Sequence, residues 1–207
     1  EINRGCTHQD FEKAMNQLGY EVQFIDIPGQ YSNRDVRIRD EQHLIEWLSS
    51  DIPVGSNVIA FSMGADIAIR YHSSLRARNL IILDGGIIDY DLMNITLEED
   101  IAMTKSYIKE NQLDMNAETI AKLTSLLREQ YIDIFHAGLN TETLLLLSDH
   151  PDFVYQYKMN KIEANHDSMN HIKIQFIKDT SHEIYVEKPK EVVKDIMDWL
   201  ERMMPLF

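Results

Sequence analysis

Cysteine is almost absent: Cys6 is the only one in 207 residues. No internal disulfide can form, which favours a reducing compartment and a cytoplasmic location, and no neighbour in the sequence marks Cys6 as an activated thiol. Basic residues are outnumbered, with 20 Lys and Arg against 34 Asp and Glu and a formal charge of −14. That balance argues against a nucleic-acid partner and against binding to an anionic membrane surface. Long apolar runs are also missing, so no stretch has membrane-spanning length. With 8 glycines in all there is no phosphate-cradling loop, and Gly85-Gly86 reads as a strand-end turn. No spaced pair such as His-Glu-x-x-His suggests a metal site. The expected partner is therefore a small neutral or apolar molecule, with no cofactor and no metal.

A chain of this length is one domain by the usual prior and can bury a single core. It opens on Glu1 in what reads as the middle of a unit, a start compatible with a preceding leader or preceding strands.

What is present is organised around Val58-Ile59-Ala60-Phe61-Ser62-Met63-Gly64-Ala65. Val58 to Phe61 have the apolar, partly β-branched character of a buried strand, and Gly64, Ala65 and Ala68 open a helix. A serine at such a junction projects its hydroxyl from the carboxyl end of a sheet and lies beside the first backbone N–H groups of the helix. The spacing predicts that the turn has little room, hence Ala60 and Gly64 two residues to either side.

Before it, Thr7 with Phe11, Ala14, Met15 and Leu18 predicts a capped amphipathic helix over 8–18, ended by Gly19. Val22, Phe24, Ile25 and Ile27 predict a strand over 20–27, stopped by Pro28-Gly29. A helix over 40–50 and a strand over 57–61 follow. A helix from 63 to 75 then leads to the apolar run Asn79–Leu83, typical of a strand covered on both faces. This rhythm implies right-handed βαβ crossovers and a parallel sheet, with ligands at the carboxyl ends of its strands.

From 87 to 141 no strand is evident. Thr96 caps a helix to about 110, and Asn116 starts another to about Phe135. Tyr90, Met93, Met103, Tyr107, Met115, Tyr131 and Phe135 are candidates to line an apolar pocket or to pack the segment onto the body. The sheet resumes with Thr143–Ser148, whose four leucines deliver Asp149 to the edge that carries Ser62. A helix over 152–164, a period-2 strand over 172–177, the loop with His182 and a closing helix from Pro189 complete the chain.

Ala60-Phe61-Ser62-Met63-Gly64 resembles the Gly-x-Ser-x-Gly nucleophile elbow of α/β-hydrolases, with alanine for the first glycine. Asp26-Ile27-Pro28-Gly29-Gln30-Tyr31-Ser32 is similar to the turn after that family's fourth strand, departing at Gln30 and Tyr31. Thr180-Ser181-His182 through Pro189 resembles the family's Gly-His ending, with Ser181 where glycine is frequent. The order Ser62, Asp149, His182 is the family's order of nucleophile, acid and histidine. The resemblance runs from residue 7 onward. It implies an α/β fold: a mostly parallel sheet flanked by helices on both faces, with residues 1–88 and 142–207 as core and 89–141 as a helical cap.

The same resemblance implies a serine hydrolase that cleaves a carboxylic ester or related acyl bond through an acyl-enzyme. Ser62 would attack, His182 would take and return its proton, and Asp149 would hold the imidazole in the correct tautomer. Asp84 is the alternative acid, because some members draw it from the preceding strand, and Asp152 is more distant. Asp66, one helical turn beyond Ser62, is expected to point elsewhere. The Met63 N–H would form half of an oxyanion hole. No His-Gly pair supplies the other half, which leaves Glu1-Ile2-Asn3-Arg4 or residues before them. An acyltransferase or thioesterase, and a non-catalytic ligand-binding relative, remain alternatives.

Overall fold

The computed structural model describes residues 4–203. In chain order, α1 (Arg4–Gln17), α2 (Glu41–Asp51), β1 (Asn57–Phe61), α3 (Met63–Arg70), α4 (His72–Leu75) and β2 (Asn79–Leu83) make the first half. Then come α5 (Leu97–Glu110), α6 (Ala117–Glu129), β3 (Thr143–Ser148), α7 (Asp152–Ala164), β4 (Ile172–Ile177), α8 (Ile184–Glu187) and α9 (Pro189–Met203). The four strands form one parallel sheet in the order β1-β2-β3-β4. Each carboxyl end therefore meets the same rim, where the loops bearing Ser62, Asp84, Asp149 and His182 emerge.

The central strands are apolar throughout because both their faces are covered. Side chains alternate between two cores. Ile81, Leu83, Leu144 and Leu146 face Phe11 and Met15 of α1 and Val192, Ile196, Trp199 and Leu200 of α9. Leu80, Ile82, Leu145 and Leu147 face Leu44 and Trp47 of α2, Ile67 and Ile69 of α3, and Leu123 and Leu127 of α6. Leu144 to Leu147 are completely buried, and each contributes about 1.5–3 kcal/mol by leaving water.

Caps fix several helix starts. Asp40 accepts from the His43 N–H at 2.9 Å ahead of α2. Thr96 and Glu99 form a capping box ahead of α5, and Asn116 accepts from the Thr119 N–H at 2.9 Å ahead of α6. These are the local signals that the sequence carries most plainly.

Four expectations are corrected. The first helix begins at Arg4, upstream of Thr7. Residues 20–27 form no strand, because no neighbouring strand pairs with them; Ile25 and Ile27 line a cavity instead, and Phe24 is largely exposed. The helix after Ser62 breaks at Tyr71 into α3 and α4. The helix from Asn116 stops at Glu129, short of Phe135, which lies in the core.

Between β2 and β3, α5 and α6 pack on each other and are tied to the turn after residue 27. The Asn116 N–H donates to the Gly29 carbonyl at 2.6 Å, and the Tyr31 N–H to the Asp114 carbonyl at 2.9 Å. Arg34 and Asp114 add an exposed ion pair at 2.7 Å, of small energetic weight.

Candidate active site

Ser62 occupies the junction of β1 and α3 with φ 53° and ψ −127°. A residue with a Cβ adopts that backbone only when its surroundings impose it. Here the Ala65 and Asp66 N–H groups donate to the Ser62 carbonyl at 2.8 and 3.3 Å, and the Ser62 N–H faces the Leu83 carbonyl at 3.4 Å.

The residue that makes the turn tight is not Gly64. A Cβ there would meet only Ile27 Cγ2, at 4.0 Å, which is ordinary contact. Gly85 is the crowded one: a Cβ would stand 2.5 Å from the Ala65 Cβ and 3.1 Å from the Ser62 carbonyl oxygen. Gly85 is thus more than a strand-end turn, since its missing side chain lets the β2 loop pass beneath the serine.

His182, on the loop after β4, reaches back across the rim. Its Nε2 lies 3.0 Å from Ser62 Oγ, and its Nδ1 lies 2.9 Å from Asp84 Oδ2. With Nδ1–H donating to the carboxylate, Nε2 is left as the acceptor for the serine hydroxyl. The ring stacks at a tilt on Phe61, 4.7 Å between centroids, and Phe61 also meets Tyr185 edge-on at 5.0 Å. Ser181, in the position where glycine is frequent, is held by Glu187, whose carboxylate accepts from its N–H at 3.1 Å and from its hydroxyl at 2.5 Å.

Asp84, the alternative acid, is the carboxylate that meets the histidine; Asp149, the leading expectation, is not. Both terminate buried strands, but they turn differently. Asp84 has φ 44° and sits next to the strand that carries Ser62. The Asp149 carboxylate is used elsewhere, accepting from the Asp179 and Thr180 N–H groups at 3.0 and 3.1 Å and meeting His150 Nδ1 at 2.8 Å. It shapes the base of the loop that carries His182. Burial pushes its carboxyl up, but His150 and the two N–H groups outweigh that and hold it down at about 2. Asp152, the third candidate, starts α7 in an exposed position.

Four groups converge on Asp84. Oδ1 accepts from the Ser148 N–H at 2.7 Å and from Lys158 Nζ at 2.6 Å, while Oδ2 accepts from Ser148 Oγ at 3.0 Å and from His182. Burial pushes this carboxyl up; the hydrogen bond with His182 and the charge of Lys158 prevail and hold it below its ordinary range. Lys158 is fully buried and was not singled out from the sequence. The available signal was a lysine between Tyr155 and Ile162, at i−3 and i+4, on the inward face of the helix.

Asp66 is engaged by the loop after β2, while the charge of His182 also acts on it. It accepts from the Gly86 N–H at 3.1 Å and from the Tyr90 hydroxyl at 2.8 Å, so it braces the loop that follows Asp84. Desolvation, only partly offset by these two donors, raises its carboxyl to about 6.

Met63 is the first residue of α3, so its N–H belongs to the turn that lacks intrahelical acceptors. Of the segment expected to hold a second donor, Glu1–Asn3 lie outside the described residues and Arg4 begins α1. A cavity of about 1070 Å³ opens beside Ser62, Met63 and His182, with Ile25, Ile27, Tyr107, Leu113 and Met115 among its lining residues. Of the aromatic and methionine candidates whose side chains the structure describes, Tyr107 and Met115 reach it. Tyr90 and Tyr131 pack edge-on at 5.6 Å beside Asp66, and Met103 is exposed. Among the described residues no group of three or more His, Cys, Asp or Glu is arranged to hold a metal ion, and no helix is long and apolar enough to cross a membrane.

An imidazole bridging a hydroxyl and a buried carboxylate can draw the proton from that hydroxyl as it attacks an electrophile and return it to a leaving group. No family model matches the sequence, nor does any curated protein. Solved structures do. NosK from Streptomyces actuosus superposes with a TM-score of 0.65 at 14% identity over 93% of this chain and 91% of its own. MenH from S. aureus gives 0.63 at 18% over 94% and 89%. A carboxylesterase structure from the thaumarchaeon Nitrososphaera gargenis gives 0.59 at 15% over 93% and 85%. The chain has the α/β-hydrolase fold.

Proposed function

We propose that the protein is a serine hydrolase cleaving a carboxylic ester or related acyl bond of a small molecule. The observation that carries this reading is the unbroken chain from Ser62 Oγ through the His182 imidazole to Asp84, at 3.0 and 2.9 Å. Ser62 attacks the acyl carbon while His182 takes its proton, Asp84 holds the imidazole and balances its charge, and the Met63 N–H receives the developing oxyanion. Loss of the alcohol, protonated by His182, leaves an acyl-enzyme. Water then repeats the sequence and frees Ser62.

In this reading residues 89–141 form a cap over the core, and the mainly apolar cavity takes the acyl group or the alcohol. A carboxylesterase of the same fold supports the ester as substrate class. The test is a fluorophosphonate probe followed by peptide mapping, together with a series of p-nitrophenyl esters of rising chain length. Ser62 is expected to be the labelled residue, and Ser62→Ala to lower turnover by about a millionfold. A folded protein that resists the probe and turns over none of the esters overturns the proposal.

A further inference from the structure

Lys158 touches Asp84, yet the mechanism above has no use for it. Its side chain is completely excluded from solvent, and its three donors are spent on Asp84 Oδ1 at 2.6 Å, Ser148 Oγ at 2.8 Å and the Ser148 carbonyl at 3.1 Å. Ser148 in turn donates to both oxygens of Asp84. Counting His182, the carboxylate receives two donors on each oxygen, which is its full capacity. A carboxylate so enclosed cannot rotate, and it orients the imidazole from a fixed base.

We propose that Lys158 is a positioning residue for the Asp84–His182 pair: with Ser148 it fixes the carboxylate, and by neutralising it sets how strongly His182 holds a proton. The inference rests on the reading of Asp84 and His182 given above. Its chemistry is simple. An imidazolium formed beside a lone buried carboxylate is held tightly. Beside a carboxylate already paired with an ammonium it is held less tightly, so it returns its proton more readily to a leaving group and stays unprotonated to lower pH.

The other charged groups facing this assembly come from two elements. Asp149, at the end of β3, acts on Lys158, and Asp66, on α3, acts on His182. Both remain in place when Lys158 is replaced. Burial pushes the lysine towards its neutral form and the charge of Asp84 opposes this. Helix α7 thereby supplies the counterion from outside the three loops that carry Ser62, Asp84 and His182.

The experiment is Lys158→Met, which keeps length and apolar bulk but removes the charge. The His182 imidazole is titrated by NMR in the unreacted protein. The expected result is a His182 midpoint higher than in the parent by about one pH unit, the effect of a unit charge one residue removed in a protein interior. The acid limb of the kcat/KM profile should move with it. Ser148→Ala, which deletes the hydroxyl shared by Lys158 and Asp84, should move both in the same direction and serves where Lys158→Met does not fold. An unchanged midpoint in a folded variant, or a downward shift, overturns the proposal. Because the titration needs no substrate, it judges Lys158 separately from turnover: a parent protein inert to fluorophosphonate refutes the hydrolase reading, while the midpoint still decides the role of the lysine.

Discussion

Ser62 and Asp84 each stand one residue beyond a paired position of neighbouring strands, Phe61 of β1 lying opposite Leu83 of β2. The hydroxyl and the carboxylate thus leave the sheet side by side, and His182 arrives from β4, two strands beyond β2, to bridge them. Asp84 has the placement to orient the imidazole, and Asp149 does not.

Activity should separate the two carboxylates. Asp84→Asn leaves the shape but presents the imidazole with the wrong partner, and kcat on an activated ester is expected to fall about ten-thousandfold, as when a triad acid is replaced by its amide. Asp149→Asn should cost less than about tenfold, the equivalent of loosening a hydrogen bond or so in the supporting loop. A collapse of kcat in Asp149→Asn with Asp84→Asn nearly intact would reverse the assignment.

The carboxylate of Asp149 should appear instead in stability against acid. Its folded value of about 2 lies below the unfolded value of about 4. The stabilisation is therefore fully present above pH 4 and is lost as pH falls from about 4 to about 2. Asp149→Asn should be less stable than the parent at pH 6, and the gap should close towards pH 2. Urea unfolding at a series of pH values measures it, and a gap independent of pH would refute the linkage.

Much of this arrangement was legible in the residues. The elbow serine, the histidine turn, the buried leucine strand and the caps at Thr96 and Asn116 are local signals, set by periodicity and by side chains that satisfy nearby backbone groups. What could not be read depends on which loop bends which way. Asp84 and Asp149 end equally apolar strands, and the choice rests on the φ of 44° at Asp84 and on the N–H groups of Asp179 and Thr180 that engage Asp149. Residues 20–27 have the pattern of a strand, but a strand needs a neighbour to pair with. Lys158 was hidden because a buried charge is legible only once its partner is known, and Asp84 lies 74 residues away.

Two glycines should respond in opposite ways to one added methyl. Gly85→Ala puts a Cβ 2.5 Å from that of Ala65, between packed backbone segments that have little freedom to give. A loss of about 1–3 kcal/mol of stability is expected, with the serine turn displaced and fluorophosphonate labelling slowed. Gly64→Ala meets only Ile27 Cγ2 at 4.0 Å and lies in the first turn of α3, where alanine is the better helix former. Its midpoint of thermal unfolding should be unchanged or higher. Equal losses in both variants would mean that the elbow is as tight at Gly64 as at Gly85, against this assignment.

Asp66 should give a pH dependence of the opposite sign. Its carboxyl is raised to about 6 by desolvation, above the unfolded value of about 4. The protonated form is the one favoured by folding, so its contribution is fully present below pH 4 and is lost as pH rises through about 6. Asp66→Asn cannot ionise, yet its side-chain oxygen still accepts from the Gly86 N–H or the Tyr90 hydroxyl. Relative to the variant, the parent should lose stability steadily between pH 4 and pH 7, by no more than about 3 kcal/mol, the equivalent of a shift of roughly two pH units. Unfolding free energies of the two proteins across that range decide it: parallel curves would mean that Asp66 enters the folded state already ionised, with Tyr90 and Gly86 fully compensating its burial.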